Sequence, residues 1–160
     1  MTTQIHKFNS THNLFYLLIS FILIGLSGVL IFAIEHKPEF IIIAILLNII
    51  GLTGIFFHFQ YFFHDYGKYI EIDYANNTIT IHRKFQKTRL PFSDINEIQR
   101  RTGKKFPHET GGLVFHQYHH TRIIMKNGSC YVFTDFLTAT VPQLPAKHTT
   151  HFRLFNIIVK

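Results

Sequence analysis

The sequence predicts a membrane α + β protein, in which a two-helix transmembrane hairpin precedes a small antiparallel β-barrel or sandwich. Three observations support this fold class. Residues 14–63 carry almost no charge, two apolar stretches within them are long enough to cross a bilayer, and apolar and polar side chains alternate in much of the chain beyond residue 67. A chain of 160 residues has room for an anchor and one small domain. We therefore predict an anchor with its N-terminal tail over residues 1–66 and a cytoplasmic β-rich domain over residues 67–160.

The first predicted transmembrane helix covers residues 14–34, which are uncharged. About 20 residues at 1.5 Å rise are enough to cross a hydrocarbon core of roughly 30 Å. The second covers residues 40–63 and ends in Phe and Tyr side chains, which suit the membrane interface. Pro38 in the short polar connection ends one helix and starts the next, so the pair forms an antiparallel hairpin. The first stretch is too long for a signal-peptide core, which predicts an uncleaved anchor.

The distribution of Lys and Arg sets the expected orientation of the hairpin. Lys37 is the only Lys or Arg residue of the connecting loop, whereas five such residues come soon after the second span. These are Lys68, Arg83, Lys84, Lys87 and Arg89. We therefore expect a multi-pass protein of the cell inner (cytoplasmic) membrane, with both termini in the cytoplasm.

Small residues recur at helical spacing in both predicted spans. Gly25 and Gly28 lie in the first span, and Gly51 and Gly54 lie in the second. Residues three apart share a helix face, and small ones allow another backbone to approach closely. Asn48 in the second span needs a hydrogen-bond partner inside the membrane. We expect these five residues to pack the hairpin together, with an oligomer or pore interface as the alternative.

The alternating pattern after Gly67 predicts half-buried β-strands. Asn76-Asn77 and Asn127-Gly128 are turn signals that close two hairpins. The predicted strands are residues 69–74, 78–83, 87–92, 95–101, 113–118, 121–126, 129–133 and 152–159. Residues 137–147 contain two prolines and predict a short helix or a loop. The single cysteine, Cys130, excludes an internal disulfide and is expected to pack in the core.

Three segments after the two spans carry a family resemblance. They are YIEIDYANNTITI (69–81), RLPFSDINEI (89–98) and NGSCYVFTDFL (127–137). In this order they resemble the membrane-anchored pleckstrin-homology-like (PH-like) proteins of bacteria. The resemblance implies a two-sheet barrel capped by a C-terminal helix, similar in fold to phosphoinositide-binding domains. Pro142 and Pro145 interrupt the expected capping helix. A fold of this kind does not by itself define a function.

Basic residues form two candidate sites for lipid or other anions. The formal net charge is +7, and beside a bilayer the anionic headgroups are a nearer partner than nucleic acid. The first group, on a predicted hairpin, is Arg83, Lys84, Lys87 and Arg89, and the second, in a predicted loop, is Arg100, Arg101, Lys104 and Lys105. We expect both groups to contact anionic lipid. The alternative is a solvated basic face that serves solubility and orientation.

Catalytic and metal-binding patterns are missing from the sequence. It contains no nucleophile elbow, P-loop, dinucleotide fingerprint or metalloprotease helix motif, so we expect a non-enzymatic protein without a cofactor. His116, His119 and His120 face opposite sides of an extended segment, so no metal site is expected there. His58 and His64 do not share a helix face and are interpreted as interfacial side chains.

These observations favour an inner-membrane adaptor or accessory protein. Its β domain would bind a protein partner, another copy of the chain, anionic membrane lipid, or more than one of these, and tethering would raise the effective concentration of each. The alternative is a ligand-gated two-helix membrane effector. In that hypothesis the β domain senses a small anionic ligand or nucleotide and the hairpins assemble into a pore.

Overall fold

The computed structural model describes residues 3–33, 37–102, 118–138, 143–152 and 157–158. Along the chain, these residues form the helices and strands β1 (Thr3–Lys7), α1 (Leu14–Ala33), α2 (Pro38–Asp65), β2 (Lys68–Asp73), β3 (Thr78–Arg83), β4 (Gln86–Pro91), β5 (Ile95–Thr102), β6 (His120–Met125), β7 (Cys130–Thr134) and β8 (Lys147–Phe152). A single 3-10 turn, Phe92–Asp94, connects β4 to β5.

Both helices are long and apolar enough to cross a membrane. Helix α1 has 20 residues and α2 has 28, and their bounds differ from the predicted ones by at most two residues. Pro38 occupies the first turn of α2, where its missing N–H has no intrahelical acceptor and its fixed φ suits the helix. The extra residues at the end of α2, up to Asp65, extend the helix into contact with the β domain.

The two helices approach each other closely at Gly51. A Cβ atom on Gly51 would stand 2.8 Å from the carbonyl oxygen of Ser20, so only glycine fits here without a shift. The side chain of Asn48 donates hydrogen bonds to the Ser27 hydroxyl and to the carbonyl oxygen of Ala44. The polar groups of these residues are therefore paired within the hairpin.

The other three glycines named in the sequence analysis lie in different surroundings. Gly54 is buried on α2. A Cβ atom on Gly25 or Gly28 would meet nothing within 4 Å among the described residues. The close helix contact therefore uses Gly51 of α2, and Gly25 and Gly28 of α1 face open space among the described residues.

The first sheet, called sheet 1, has the strand order β1-β2-β3-β4 and is antiparallel throughout. Strand β1 falls in the segment that we assigned to an N-terminal tail, because TQIHK is short and mostly polar. Pairing with β2 stabilises it in the sheet. The predicted turns close as expected, with Asn77 at φ 51° and Gly128 at φ 84°.

The second sheet, called sheet 2, has the strand order β7-β6-β5-β8. The prediction of an entirely antiparallel domain is wrong for β8, which runs parallel to β5. The residues of β8, KHTTHF, lack an apolar alternation, so the sequence did not reveal this strand. The predicted strand 113–118 lies outside the described residues except for its last position, as does most of the predicted strand 152–159.

The two sheets share one apolar core. Its largest contributions from sheet 1 are Ile72 and Ile79, and those from sheet 2 are Ile98 and Ile123. Each sheet thus buries one face against the other, as in a sandwich. Among the described residues no strand pairing joins the sheets, so they do not close into a barrel.

Candidate functional site

Asp65, the last residue of α2, connects the helix to sheet 2. The carboxylate is fully buried and accepts hydrogen bonds from the backbone N–H of Thr134 at 2.6 Å and from its hydroxyl at 2.7 Å. Lys68 lies 3.1 Å and His64 lies 2.7 Å from the other carboxylate oxygen. Buried charges are stable in proteins when they are paired and hydrogen-bonded in this way.

Two tyrosine–histidine pairs connect α2 to the beginning of β6. The Tyr61 hydroxyl lies 2.9 Å from Nδ1 of His120, and Nδ1 of His58 lies 3.1 Å from the Tyr118 hydroxyl. Burial, with the nearby charges of Arg101 and other basic groups, lowers the pKa of His120 to about 3. Burial also raises the pKa of the Tyr118 hydroxyl. Both groups are therefore neutral near pH 7.

Aromatic side chains fill the space around these hydrogen bonds. Phe57, Tyr61, Tyr118 and Phe136 form a buried cluster. Phe8, directly after β1, stacks on Phe136 with ring centroids 5.8 Å apart. The Asp65 hydrogen bonds, the two tyrosine–histidine pairs and this aromatic cluster together form what we call the helix–domain joint.

A second buried carboxylate, Asp135, lies directly after β7. It accepts a hydrogen bond from the backbone N–H of His119 at 3.0 Å, and the Arg100 guanidinium lies 3.9 Å away. Burial raises the pKa of Asp135 to about 8, against the opposing effect of Arg100. Arg100, which the sequence analysis placed in an anion-binding loop, is thus turned toward an internal carboxyl group.

A cleft of about 540 Å³ opens between the edge strands β4 and β7, beside the end of α2. Lys68, Arg83 and His64 bring positive or protonatable groups to its wall, and Gln86 and Thr88 add hydrogen-bonding groups. The remaining lining residues are Ile81, Cys130, Tyr131, Val132, Phe133 and Ile158. Because Asp65 pairs with Lys68, Arg83 is the residue of this cleft whose charge is best placed to attract an anion.

The predicted basic residues that the structure describes are divided between the two sheets. Arg83 lines the cleft, and Lys84, Lys87 and Arg89 are exposed on the β3–β4 hairpin. Arg101 is half-buried in β5 of sheet 2. Lys104 and Lys105 lie outside the described residues.

The predicted burial of Cys130 is wrong. Cys130 is exposed at the first position of β7, an edge strand, and its Sγ lies 3.3 Å from Nε of Arg122. The alternation with Val132 and Thr134 was assigned to the inner face, but Tyr131 and Phe133 are the residues of β7 that pack on the shared core, so Cys130 lies on the opposite face. Within the described part of the chain, no three His, Cys, Asp or Glu side chains are grouped to hold a metal ion.

The residues of the helix–domain joint are not among the predicted site residues. His58 is predicted to be an interfacial side chain, whereas the structure buries it against Tyr118. One signal was present in the sequence. His58, Tyr61 and Asp65 recur three and four positions apart, which puts three polar groups on one face at the end of an apolar helix.

The fold and the site define a two-sheet β domain attached to a hairpin of apolar helices. A family described as PH domain matches residues 3–142, and the chain belongs to this family. The match includes β1 and both helices as well as most of the two sheets, and it confirms the resemblance noted from the sequence. Comparison with curated proteins and with solved structures finds no match.

Proposed function

We propose that this protein is a non-enzymatic adaptor of the inner membrane, whose PH domain is fixed at the cytoplasmic surface and binds anionic lipid headgroups together with a protein partner. Membership of the PH domain family supports a binding role in general. The observation that carries the lipid part of the proposal is the cleft with Lys68 and Arg83 at the end of an apolar helix.

The position of the cleft suits a headgroup. Lys68 lies three positions after the last residue of α2, and the last turns of α2 extend beyond a span of about 20 residues from Pro38, so the cleft lies on the headgroup side of the hydrocarbon. A phosphate there would accept hydrogen bonds from a guanidinium and an ammonium group, which are the usual protein donors for this anion. A juxtamembrane cation near an anionic leaflet contributes about 1 kcal/mol.

Open sheet edges support binding of a protein partner. Among the described residues, strands β4 and β7 are edge strands of their sheets, and both border the cleft. An edge strand presents unpaired backbone N–H and C=O groups, to which an extended segment of another chain can add as a further strand. Tethering the domain at the membrane would allow a weak contact of this kind to suffice.

The ligand-gated effector receives less support from the described contacts. Gly51 and Asn48, which that hypothesis assigns to contacts between copies, both contact α1 of the same chain. A pore built from these residues would require the hairpin to repack. We therefore retain the adaptor as the proposed function.

Native mass spectrometry of the full chain in a neutral detergent tests the lipid part. We expect phosphatidylglycerol to bind more tightly than phosphatidylcholine, and Arg83→Gln to reduce this preference about fivefold, which corresponds to about 1 kcal/mol. Lys126→Gln, an exposed charge at the β6–β7 turn, is the matched control. Equal binding of the two lipids in the wild type would contradict the proposal.

Purification of a tagged chain from its own membranes in a mild detergent tests the protein part. We expect a stoichiometric partner to be recovered from wild type and from Arg89→Gln, and to be lost in Arg89→Pro. Beside a two-residue turn the pair Thr80–Arg89 is not hydrogen-bonded, so the N–H of position 89 faces the free edge of β4, and proline removes this donor. Recovery of the chain alone, without a partner after cross-linking in intact membranes, would contradict an adaptor role.

A further inference from the structure

Phe85 is the most exposed large apolar side chain in the described part of the chain. It lies in the two-residue turn between β3 and β4, where Arg83 pairs with Gln86, and its relative exposure is 102%. Lys84 beside it adopts φ 49°, a conformation that side-chain-bearing residues rarely adopt. The turn therefore presents an aromatic ring that gives no packing to the fold.

The strand register places this turn at the end of sheet 1 where both helices are attached. Lys7, the last residue of β1, pairs with Tyr69, which pairs with His82, which pairs with Lys87. Beyond this row the chain leaves β1 for α1, and β2 begins three residues after α2 ends. The β3–β4 turn lies at the same end of the sheet, directly beyond the Arg83–Gln86 pair that follows this row.

The opposite end of sheet 1 has a different character. The β2–β3 turn there follows Asp73, whose carboxylate accepts hydrogen bonds from the backbone N–H groups of Ala75 and Asn76. Strand β3 has six residues, so the two turns lie about 20 Å apart. The segment RKFQK, residues 83–87, contains three basic residues and no acidic one, whereas Arg89 pairs with Thr80, nearer the opposite end. Within sheet 1, basic charge and an exposed aromatic ring thus coincide at the end that bears the helices.

We propose that Lys84 and Phe85 form a membrane-docking tip, in which the ring of Phe85 enters the boundary between headgroups and acyl chains and the flanking basic residues contact anionic headgroups. Aromatic side chains favour this boundary, and basic neighbours add electrostatic attraction. The inference rests on the proposed anchoring of the hairpin in a membrane and deepens it. The tip gives the domain a second lipid contact away from α2, which fixes the face that sheet 1 turns to the membrane.

Single-tryptophan fluorescence tests this tip, because the chain contains no tryptophan. The full chain is reconstituted in vesicles of phosphatidylcholine and phosphatidylglycerol in equal parts, with and without brominated acyl chains. Phe85→Trp places the probe at the tip, and Asn76→Trp places it at the opposite turn. Phe21→Trp places it in the hairpin, on the exposed side of α1. We expect strong quenching for Phe21→Trp, clear quenching with a blue-shifted emission for Phe85→Trp, and neither for Asn76→Trp.

The possible results separate the two proposals. Quenching of Phe21→Trp without quenching of Phe85→Trp would overturn the docking tip and leave the anchoring intact. Absence of quenching for Phe21→Trp would overturn the anchoring itself. Equal quenching of Asn76→Trp and Phe85→Trp would overturn the assigned orientation. Replacing Arg83 and Lys84 by Gln in the Phe85→Trp chain should reduce its quenching, and vesicles of phosphatidylcholine alone should have the same effect.

Discussion

The helix–domain joint and the β3–β4 tip use polar residues in opposite ways. In the joint, Asp65, His120 and Tyr118 are buried, and each is hydrogen-bonded to a named partner. At the tip, Lys84 and Phe85 are exposed. Buried and paired polar groups fix one geometry, whereas exposed basic and aromatic groups are available to another surface. The joint therefore fixes the domain against the end of α2, and the tip is the part that we propose to dock on the membrane.

Loss of the buried carboxylate should have the largest effect on stability. Asp65→Ala removes the acceptor of two hydrogen bonds from Thr134 and leaves Lys68 without its buried partner. We expect the free energy of unfolding of the domain to fall by about 3–5 kcal/mol, measured by denaturant titration in detergent. Asp94→Ala, at an exposed carboxylate, should change it by less than about 0.5 kcal/mol. Equal losses in both variants would show that the joint does not stabilise the domain.

The helix contact at Gly51 should be the next most sensitive position. Gly51→Ala forces a methyl group against the Ser20 carbonyl oxygen, so we expect a loss of about 1–3 kcal/mol. Gly25→Ala meets open space and should be neutral or slightly stabilising, because alanine favours the helix. Thermal unfolding of the full chain in the same detergent checks both. A Gly51→Ala chain as stable as wild type would argue against this close approach.

The joint should weaken in acid through His120. Its pKa is about 3 in the folded protein, below the ordinary 6.5, so the unfolded chain binds this proton more strongly. The contribution of neutral His120 to the free energy of unfolding is complete above pH 6.5 and is lost as the pH falls toward 3. The loss is at most about 1.4 kcal/mol per pH unit. His120→Gln should remove this part of the slope between about pH 7 and pH 5, measured by unfolding midpoints. His151→Gln, at an exposed site, should retain the wild-type slope.

The smallest effect on stability is expected at the tip. Phe85→Ser removes a ring that is fully exposed, so the free energy of unfolding in detergent should stay within about 0.5 kcal/mol of wild type. Phe136→Ala, in the buried aromatic cluster, should cost about 3–5 kcal/mol. A large loss for Phe85→Ser would mean that the ring serves the fold and would remove the contrast between the two regions.

Local patterns in the sequence predicted the helices and most of the strands. The uncharged spans and the alternation in residues 78–83 are each visible within a short window. Strands β1 and β8 were missed because their residues lack apolar alternation and are held by pairing with β2 and β5.

The candidate site was predicted only in part, for a related reason. Arg83 was identified from charge alone. The contacts of the joint connect residues about 60 positions apart, such as Tyr61 with His120, and no spacing rule within one chain brings such pairs together. Cys130 was misplaced because alternation separates two faces but does not show which one packs on the core, and in β7 that face carries Tyr131 and Phe133.

Amide hydrogen exchange of the full chain in nanodiscs tests the contrast between joint and tip most directly. The nanodiscs contain either phosphatidylcholine alone or an equal mixture with phosphatidylglycerol. We expect the amide of Thr134, which donates to Asp65, to be protected in both lipids, and the amides of Lys84 and Phe85 to exchange fast in phosphatidylcholine and more slowly in the mixture. Equal exchange rates at the tip in the two lipid compositions would contradict a lipid-binding tip. Exchange at Thr134 as fast as at the tip would contradict a rigid joint.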